Sequence, residues 1–224
     1  MTWARPIRLR KRKLPLCRRA FLTGVGEIPH SYTRIDHVFA PYGAYLDTGI
    51  TISRGCVVTL DMMAEATTAN LSYWGYRWSG NWTKPYSWYI MTNNAYRVIM
   101  GTTAAGSNNA AAWSGGVRQV IVMDSGTGKV TVNGEEITLT TSPADAFNES
   151  GSSVYHPYLC GANMVGSTGY TSNFTVYGYE VREGGVLVQK LVPCKDGTDA
   201  VGFYDTVRHV FMPSSGSVAF TTGG

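Results

Sequence analysis

The chain has 224 residues, of which 44% are hydrophobic and 15% are charged, with a formal net charge of +4. That apolar share excludes a wholly disordered protein and allows a sizeable core. No apolar stretch approaches the roughly 18 residues that a membrane-spanning helix needs, so the sequence predicts no transmembrane segment.

Residues 1–30 are predicted to form an extended basic arm. The arm has Glu27 as its one acidic residue, whereas residues 31–224 have 11 basic and 14 acidic residues. Such a segment is expected to be disordered alone and to become ordered against a partner. The arm's cations are Arg5, Arg8, Arg10, Lys11, Arg12, Lys13, Arg18 and Arg19.

Three kinds of partner suit the arm. Its cations could neutralise nucleic acid phosphates, lie on an acidic membrane surface, or dock onto another protein. Trp3 and Phe21 are the only aromatic residues of the arm, which disfavours specific recognition of single strands by stacking. We expect docking to other proteins of an assembly, with direct nucleic acid contact as the weaker alternative.

From Ser31 onward the sequence predicts about a dozen short β-strands and no amphipathic helix of ten residues. Residues 56–62 and 117–124 alternate with a period of two, which is typical of strands with one buried face. Asn133-Gly134 lies between two alternating runs and predicts a hairpin with a type I′ turn. Further strands are predicted for residues 174–181, 186–192, 201–205 and 208–212.

The strand pattern predicts an all-β fold, either a sandwich or a barrel. No fixed repeat is visible, which disfavours a propeller or a solenoid. We predict one folded domain over residues 31–224, preceded by the arm of residues 1–30.

A segment rich in aromatic residues, 73–89, gives the candidate binding site. Flat rings beside amide and guanidinium donors suit the apolar faces and hydroxyl rims of sugars, and Trp78, Trp82 and Arg77 are the selected glycan or partner contacts. The alternative is that these rings fill the core, because half the side chains of a strand face inward. That alternative carries more weight for Tyr73, Trp74 and Trp88.

The four cysteines show no metal-binding spacing. Cys56, Cys160 and Cys194 lie among apolar residues, so buried free thiols are favoured over one disulfide. Cys17 lies in the arm.

Two stretches of the body carry motifs that occur together in a known family. Tyr45-Leu-Asp-Thr-Gly49 follows a strand and a turn, and Leu187-Val-Gln-Lys-Leu-Val-Pro193 follows another strand and turn. Over residues 32–224 this order resembles concanavalin A-like (laminin G-like) jelly-roll domains, of the type common in bacteriophage and gut-bacterial proteins. The turn at Phe39-Ala-Pro-Tyr-Gly43 departs from the family's usual Glu-Ser-Thr-Gly-like turn.

The resemblance implies a jelly-roll sandwich of two antiparallel sheets and a virion protein of a bacteriophage. Such a protein would be a fibre or capsid-decorating module for host attachment, anchored by its arm and displaying a sandwich that binds host or mucus glycans. A homo-oligomer is compatible with this role. The alternative is a bacterial carbohydrate-binding, lectin-like module at the cell surface or secreted.

The sequence predicts no enzyme and no catalytic residue. The hydrolases of the family carry Glu-x-Asp-x-Glu, but here Asp61 is flanked by Thr59 and by Met63 or Ala64. No metal or cofactor is predicted. The resemblance makes calcium conceivable at Asp47 or Asp61, without assigning a site.

Overall fold

The computed structural model of the protein describes residues 27–53, 55–65, 71–76, 86–90, 96–100, 115–137, 155–164, 166–169 and 171–223. Within these ranges the chain is all-β, with two sheets and no helix. The all-β prediction is confirmed for this part of the chain.

The first nine strands are β1 (Thr33–Arg34), β2 (Val38–Ala40), β3 (Leu46–Asp47), β4 (Cys56–Ala64), β5 (Leu71–Tyr76), β6 (Tyr86–Ile90), β7 (Tyr96–Met100), β8 (Gln119–Asp124) and β9 (Lys129–Val132). The other eight are β10 (Glu135–Glu136), β11 (Tyr158–Leu159), β12 (Ala162–Asn163), β13 (Thr168–Gly169), β14 (Phe174–Glu183), β15 (Val186–Lys195), β16 (Val201–Asp205) and β17 (Val210–Pro213).

The larger sheet has ten strands and is antiparallel throughout. Its main order is β10-β9-β8-β4-β14-β15-β16-β17, while β1 pairs with β15 and β2 pairs with β14. Its two central strands, β4 and β14, are remote in sequence, and they pair over nearly their whole length. Along β4, buried and half-buried residues alternate at every position, as the sequence pattern predicted.

The smaller sheet has seven strands. Its main order is β13-β12-β5-β11-β3, and β6 and β7 extend it from β5. The pairing of β12 with β5 is parallel, whereas the other pairings in this sheet are antiparallel.

The two sheets share one core, as in a β-sandwich. Leu60 and Met62 from β4 and Phe174 from β14 meet Tyr73 and Trp74 from β5 in a single buried cluster. Tyr73 and Trp74 are neighbours in sequence, yet both are fully buried. The register of β5 against β6 shifts between Ser72 and Trp74, and such a bulge breaks the strict alternation of faces.

The predicted hairpin is confirmed. β9 and β10 are joined by Asn133 with φ 52° and Gly134 with φ 86°, the pair of positive angles that a type I′ turn requires. The turn after Glu183 likewise uses positive φ at Gly184 and Gly185 and leads β14 back along β15.

Cys56, Cys160 and Cys194 are buried free thiols, as predicted. In the described ranges no helix is long and apolar enough to cross a membrane. Residues 1–26, including all eight arm cations, lie outside the described residues.

Candidate functional site

The outer face of the larger sheet, which points away from the core, carries a hollow of about 200 Å³. It lies where β4, β14 and β15 run side by side. Thr59 of β4 pairs with Glu180 of β14, and Glu180 in turn pairs with Lys190 of β15. These three residues point outward because their neighbours along each strand point into the core.

Gly178 makes the hollow possible. It stands opposite Asp61 in the next row of the sheet, where any other residue would project a side chain outward. A Cβ built on Gly178 would meet nothing closer than the Cβ of Asp61, at 4.0 Å, and its φ lies outside the left-handed region. The backbone therefore does not demand glycine here, and its consequence is the open space above the strand.

One wall of the hollow is formed by Asp61 and Tyr177, and Arg118, which does not line the hollow, holds both in place. The guanidinium of Arg118 donates two hydrogen bonds of 2.7 Å to the two carboxylate oxygens of Asp61. The same guanidinium lies 3.9 Å from the ring centroid of Tyr177. Hydrogen bonding to Asp61 raises the pKa of Arg118. A bidentate pair stacked on an aromatic ring holds all three groups in one geometry.

The opposite wall contains the second carboxylate. Glu180 Oε1 accepts a hydrogen bond of 2.6 Å from Arg182 Nε, and Glu180 Oε2 lies 3.8 Å from Lys190 Nζ. Thr59 lines the floor between the two walls. Asp61 and Glu180 are diagonal neighbours on adjacent strands, so the hollow presents two carboxylates across its floor.

The third side of the hollow comes from β15 and β1. Val192 and Pro193 give it an apolar edge, and Arg34 closes it. Arg34 stands directly opposite Cys194 of β15 in the antiparallel ladder, which places it on the same face as Lys190 and Val192. Hydroxyl, carboxylate, guanidinium and ammonium groups thus converge beside an aromatic ring and an apolar edge, which suits a small ligand that is polar at its rim.

The sequence-based candidates Arg77, Trp78 and Trp82 lie outside the described residues, so they stay predictions. For Tyr73 and Trp74 the alternative is confirmed, because both fill the core.

The two aspartates considered for calcium have other partners. Asp47 Oδ1 accepts a hydrogen bond of 2.9 Å from the backbone N–H of Gly49 and lies 3.2 Å from His156 Nδ1. Asp61 is held by Arg118. Among the residues with described positions, no group of three or more His, Cys, Asp or Glu side chains could hold a metal ion.

Sequence reasoning missed Tyr177, Gly178, Glu180 and Lys190. Alternation along residues 174–181 does indicate that Glu180 faces opposite to Tyr179. The pattern gives no sign that β4 pairs with β14, because this pairing joins segments far apart in the chain. The hollow exists because β4 and β14 pair with Gly178 opposite Asp61.

No model of a protein family matches the chain, and no curated protein matches it. Among solved structures, a Trypanosoma rangeli sialidase in complex with 2,3-difluorosialic acid (covalent intermediate) is 14% identical, with a TM-score of 0.45 over 67% of this chain and 26% of that chain. A Trypanosoma rangeli sialidase in complex with the inhibitor DANA is 13% identical, with a TM-score of 0.40 over 66% of this chain and 26% of that chain.

A third structure is a mutant of Trypanosoma rangeli sialidase displaying trans-sialidase activity. It is 12% identical, with a TM-score of 0.40 over 68% of this chain and 30% of that chain. The chain therefore matches less than a third of the length of each of these proteins.

These comparisons contradict the prediction that the chain is not an enzyme, because all three structures are sialidases. The prediction rested on the absence of a Glu-x-Asp-x-Glu motif along one strand. A search for such a motif does not detect carboxylates that come from two different strands. At TM-scores below 0.5 the likeness assigns no reaction and no residue role to this chain.

Proposed function

We propose that the chain is a bacteriophage virion protein, a fibre or capsid-decorating module, whose β-sandwich binds host or mucus glycans in the hollow above Gly178. The observation that carries the proposal is the hollow itself. It lies on the outer face of the larger sheet, and its lining combines polar side chains with an aromatic ring and an apolar edge, all placed by paired strands.

The chemistry of the hollow suits a sugar ring. A pyranose has hydroxyl groups around its rim and an apolar C–H face. Thr59 and the carboxylates of Asp61 and Glu180 accept hydrogen bonds from hydroxyl groups, whereas Lys190 donates them. Tyr177 and the edge at Val192 and Pro193 offer apolar surface.

The size of the hollow limits what it holds. Its volume of about 200 Å³ lies below the roughly 300–1,000 Å³ of sites for drug-sized ligands. A single sugar unit of a longer chain fits this scale, with the rest of the glycan lying along the sheet. Affinity for one unit is then modest, and several copies on one particle would raise it through multivalency.

The virion assignment is supported by the resemblance of residues 32–224 to concanavalin A-like jelly-roll domains. We infer from it that the two sheets form a jelly roll of that family. The arm would then anchor the protein to other virion proteins through its eight cations. A secreted or surface-bound bacterial lectin would use the same hollow and would not need the particle.

Glycan binding is tested with full-length protein on a glycan array. Wild-type protein should be retained on at least one glycan, and Gly178→Val should lose retention because its side chain fills the hollow. Gly197→Val is the matched control, because Gly197 lies in an exposed turn with an unstrained φ and no contact closer than 4.0 Å at its Cβ. Equal retention of both variants would contradict the proposed site.

The virion assignment needs a second experiment. Full-length protein should co-sediment with phage particles, and replacing the eight arm cations with glutamine should release it while the body stays folded. Retention on glycans without any association with particles would favour the lectin instead.

A further inference from the structure

We propose that the hollow selects an anionic sugar unit, one that carries a carboxylate or a sulfate, and that Arg34 and Lys190 contact its anionic group. This inference rests on the proposed glycan binding and specifies the class of glycan.

The hollow and the arginines that hold its carboxylates contain more positive than negative charge. The two carboxylates are Asp61 and Glu180, and each already accepts short hydrogen bonds from an arginine. Arg118 and Arg182 therefore balance them one to one. Arg34 and Lys190 remain as an excess of two cations.

Neither of the two excess cations makes a short contact with an anionic partner. Lys190 Nζ lies 3.8 Å from Glu180 Oε2, against 2.6 Å for the Arg182 contact with the same carboxylate. The side chain of Arg34 makes no hydrogen bond and no ion pair with any residue in the described part of the chain. Both groups line the hollow and are available to a ligand.

The strand register places both cations on the same face of the sheet, where they line the same hollow. Arg34 stands beside Cys194, and Lys190, Val192 and Cys194 follow one another on the outer face of β15. At about 3.3 Å per residue, Lys190 and the position of Arg34 are separated by roughly 13 Å along the strand. Val192 and Gly178 lie between them and offer neither a charge nor a competing acceptor. An anionic group above these two residues is flanked by both cations.

The excess of positive charge is local to the hollow. The chain after the arm has more acidic than basic residues, so a general attraction for anions is not expected from the body. A carboxylate or sulfate on a sugar would be attracted to this hollow specifically. Free inorganic anions share the same chemistry, so the test has a separate arm for them.

The experiment uses glycan pairs on an array that differ only in one carboxylate or one sulfate, probed with full-length protein at low ionic strength. The acidic member should be bound about tenfold more tightly, the effect of one charge-assisted contact. Arg34→Gln should remove most of this preference, and Lys190→Gln should weaken the binding of acidic members more than that of neutral members. Lys129→Gln is the matched control, because Lys129 is paired with Glu136 on β10 away from the hollow.

A titration with inorganic sulfate, followed by NMR of the arginine and lysine side chains, measures the anion site without any sugar. Saturable shifts at Arg34 and Lys190 support the inference, and their absence overturns it. Equal binding of neutral and acidic glycans would also overturn it while leaving the proposed function intact. Failure to bind any glycan would instead remove the proposed function, and with it this inference.

Discussion

The indole Nε1 of Trp74 donates a hydrogen bond of 3.1 Å to the phenol oxygen of Tyr179, joining β5 of the smaller sheet to β14 of the larger one. Both residues are at most 2% exposed. The contact ties the two sheets together at the centre of the core and fixes β14, which carries Gly178 and Glu180 on its other face. The geometry of the hollow therefore depends on this contact inside the sandwich.

Tyr179→Phe should lower the free energy of unfolding by about 1 kcal/mol, because it removes the buried hydrogen bond between the Trp74 indole and the Tyr179 phenol oxygen. Urea denaturation followed by Trp fluorescence measures the change. Tyr177→Phe on the same strand is the control and should stay within about 0.5 kcal/mol, since Tyr177 is half-buried on the outer face. Equal effects at both positions would refute a special role for Tyr179.

Asp205 should stabilise the fold in a way that depends on pH. Burial alone would raise its pKa, but hydrogen bonds from Arg208, from two backbone N–H groups and from Gln189 outweigh burial and lower it. The stabilisation is present above the unfolded pKa of about 3.9 and is lost as the pH falls through the folded value.

Asp205→Asn tests that dependence. It should cost roughly 3 kcal/mol at pH 7, because Arg208, whose side chain is 32% exposed, loses its buried anionic partner. The difference from wild type, measured by urea denaturation, should shrink below about pH 4 as wild-type Asp205 becomes protonated. A difference that stays constant with pH would show that the charge of Asp205 is irrelevant.

Three cysteines should be unreactive in the folded protein. Burial raises the pKa of Cys194 to about 11, and it raises the pKa of Cys160 as well. Little thiolate of these two residues is then present at pH 8, and the buried sulfur of all three is inaccessible to a reagent. In a Cys17→Ser variant, a disulfide reagent should titrate no thiol under native conditions and three in urea. Rapid native labelling of any of the three would contradict their burial.

Two glycines should respond differently to alanine. Gly134 has φ 86° in the hairpin turn, so Gly134→Ala should destabilise by about 1 kcal/mol although nothing lies within 4 Å of the new Cβ. The new Cβ of Gly178→Ala makes only an ordinary van der Waals contact, at an unstrained φ. The free energy of unfolding should therefore change by less than about 0.5 kcal/mol. Thermal unfolding compares the two. A large loss at Gly178 would mean that the strand itself, rather than the hollow, needs glycine.

The sequence predicted the local structure better than the site. Alternation from Cys56 to Met62 and the Asn133-Gly134 turn depend on neighbouring residues, and both are confirmed. The burial of both Tyr73 and Trp74 follows from a bulge, which period-two alternation cannot anticipate. The pairing of Asp61 with Gly178 joins distant strands, and only the folded register reveals it.

Ligands are expected to bind above Gly178 on the outer face of the larger sheet. Backbone amide NMR of the full-length protein, titrated with the glycan that the array retains most strongly, tests it directly. The largest shifts should fall on Thr59, Asp61, Gly178, Glu180 and Lys190. Shifts concentrated on Arg77, Trp78 and Trp82, with the hollow unchanged, would contradict it.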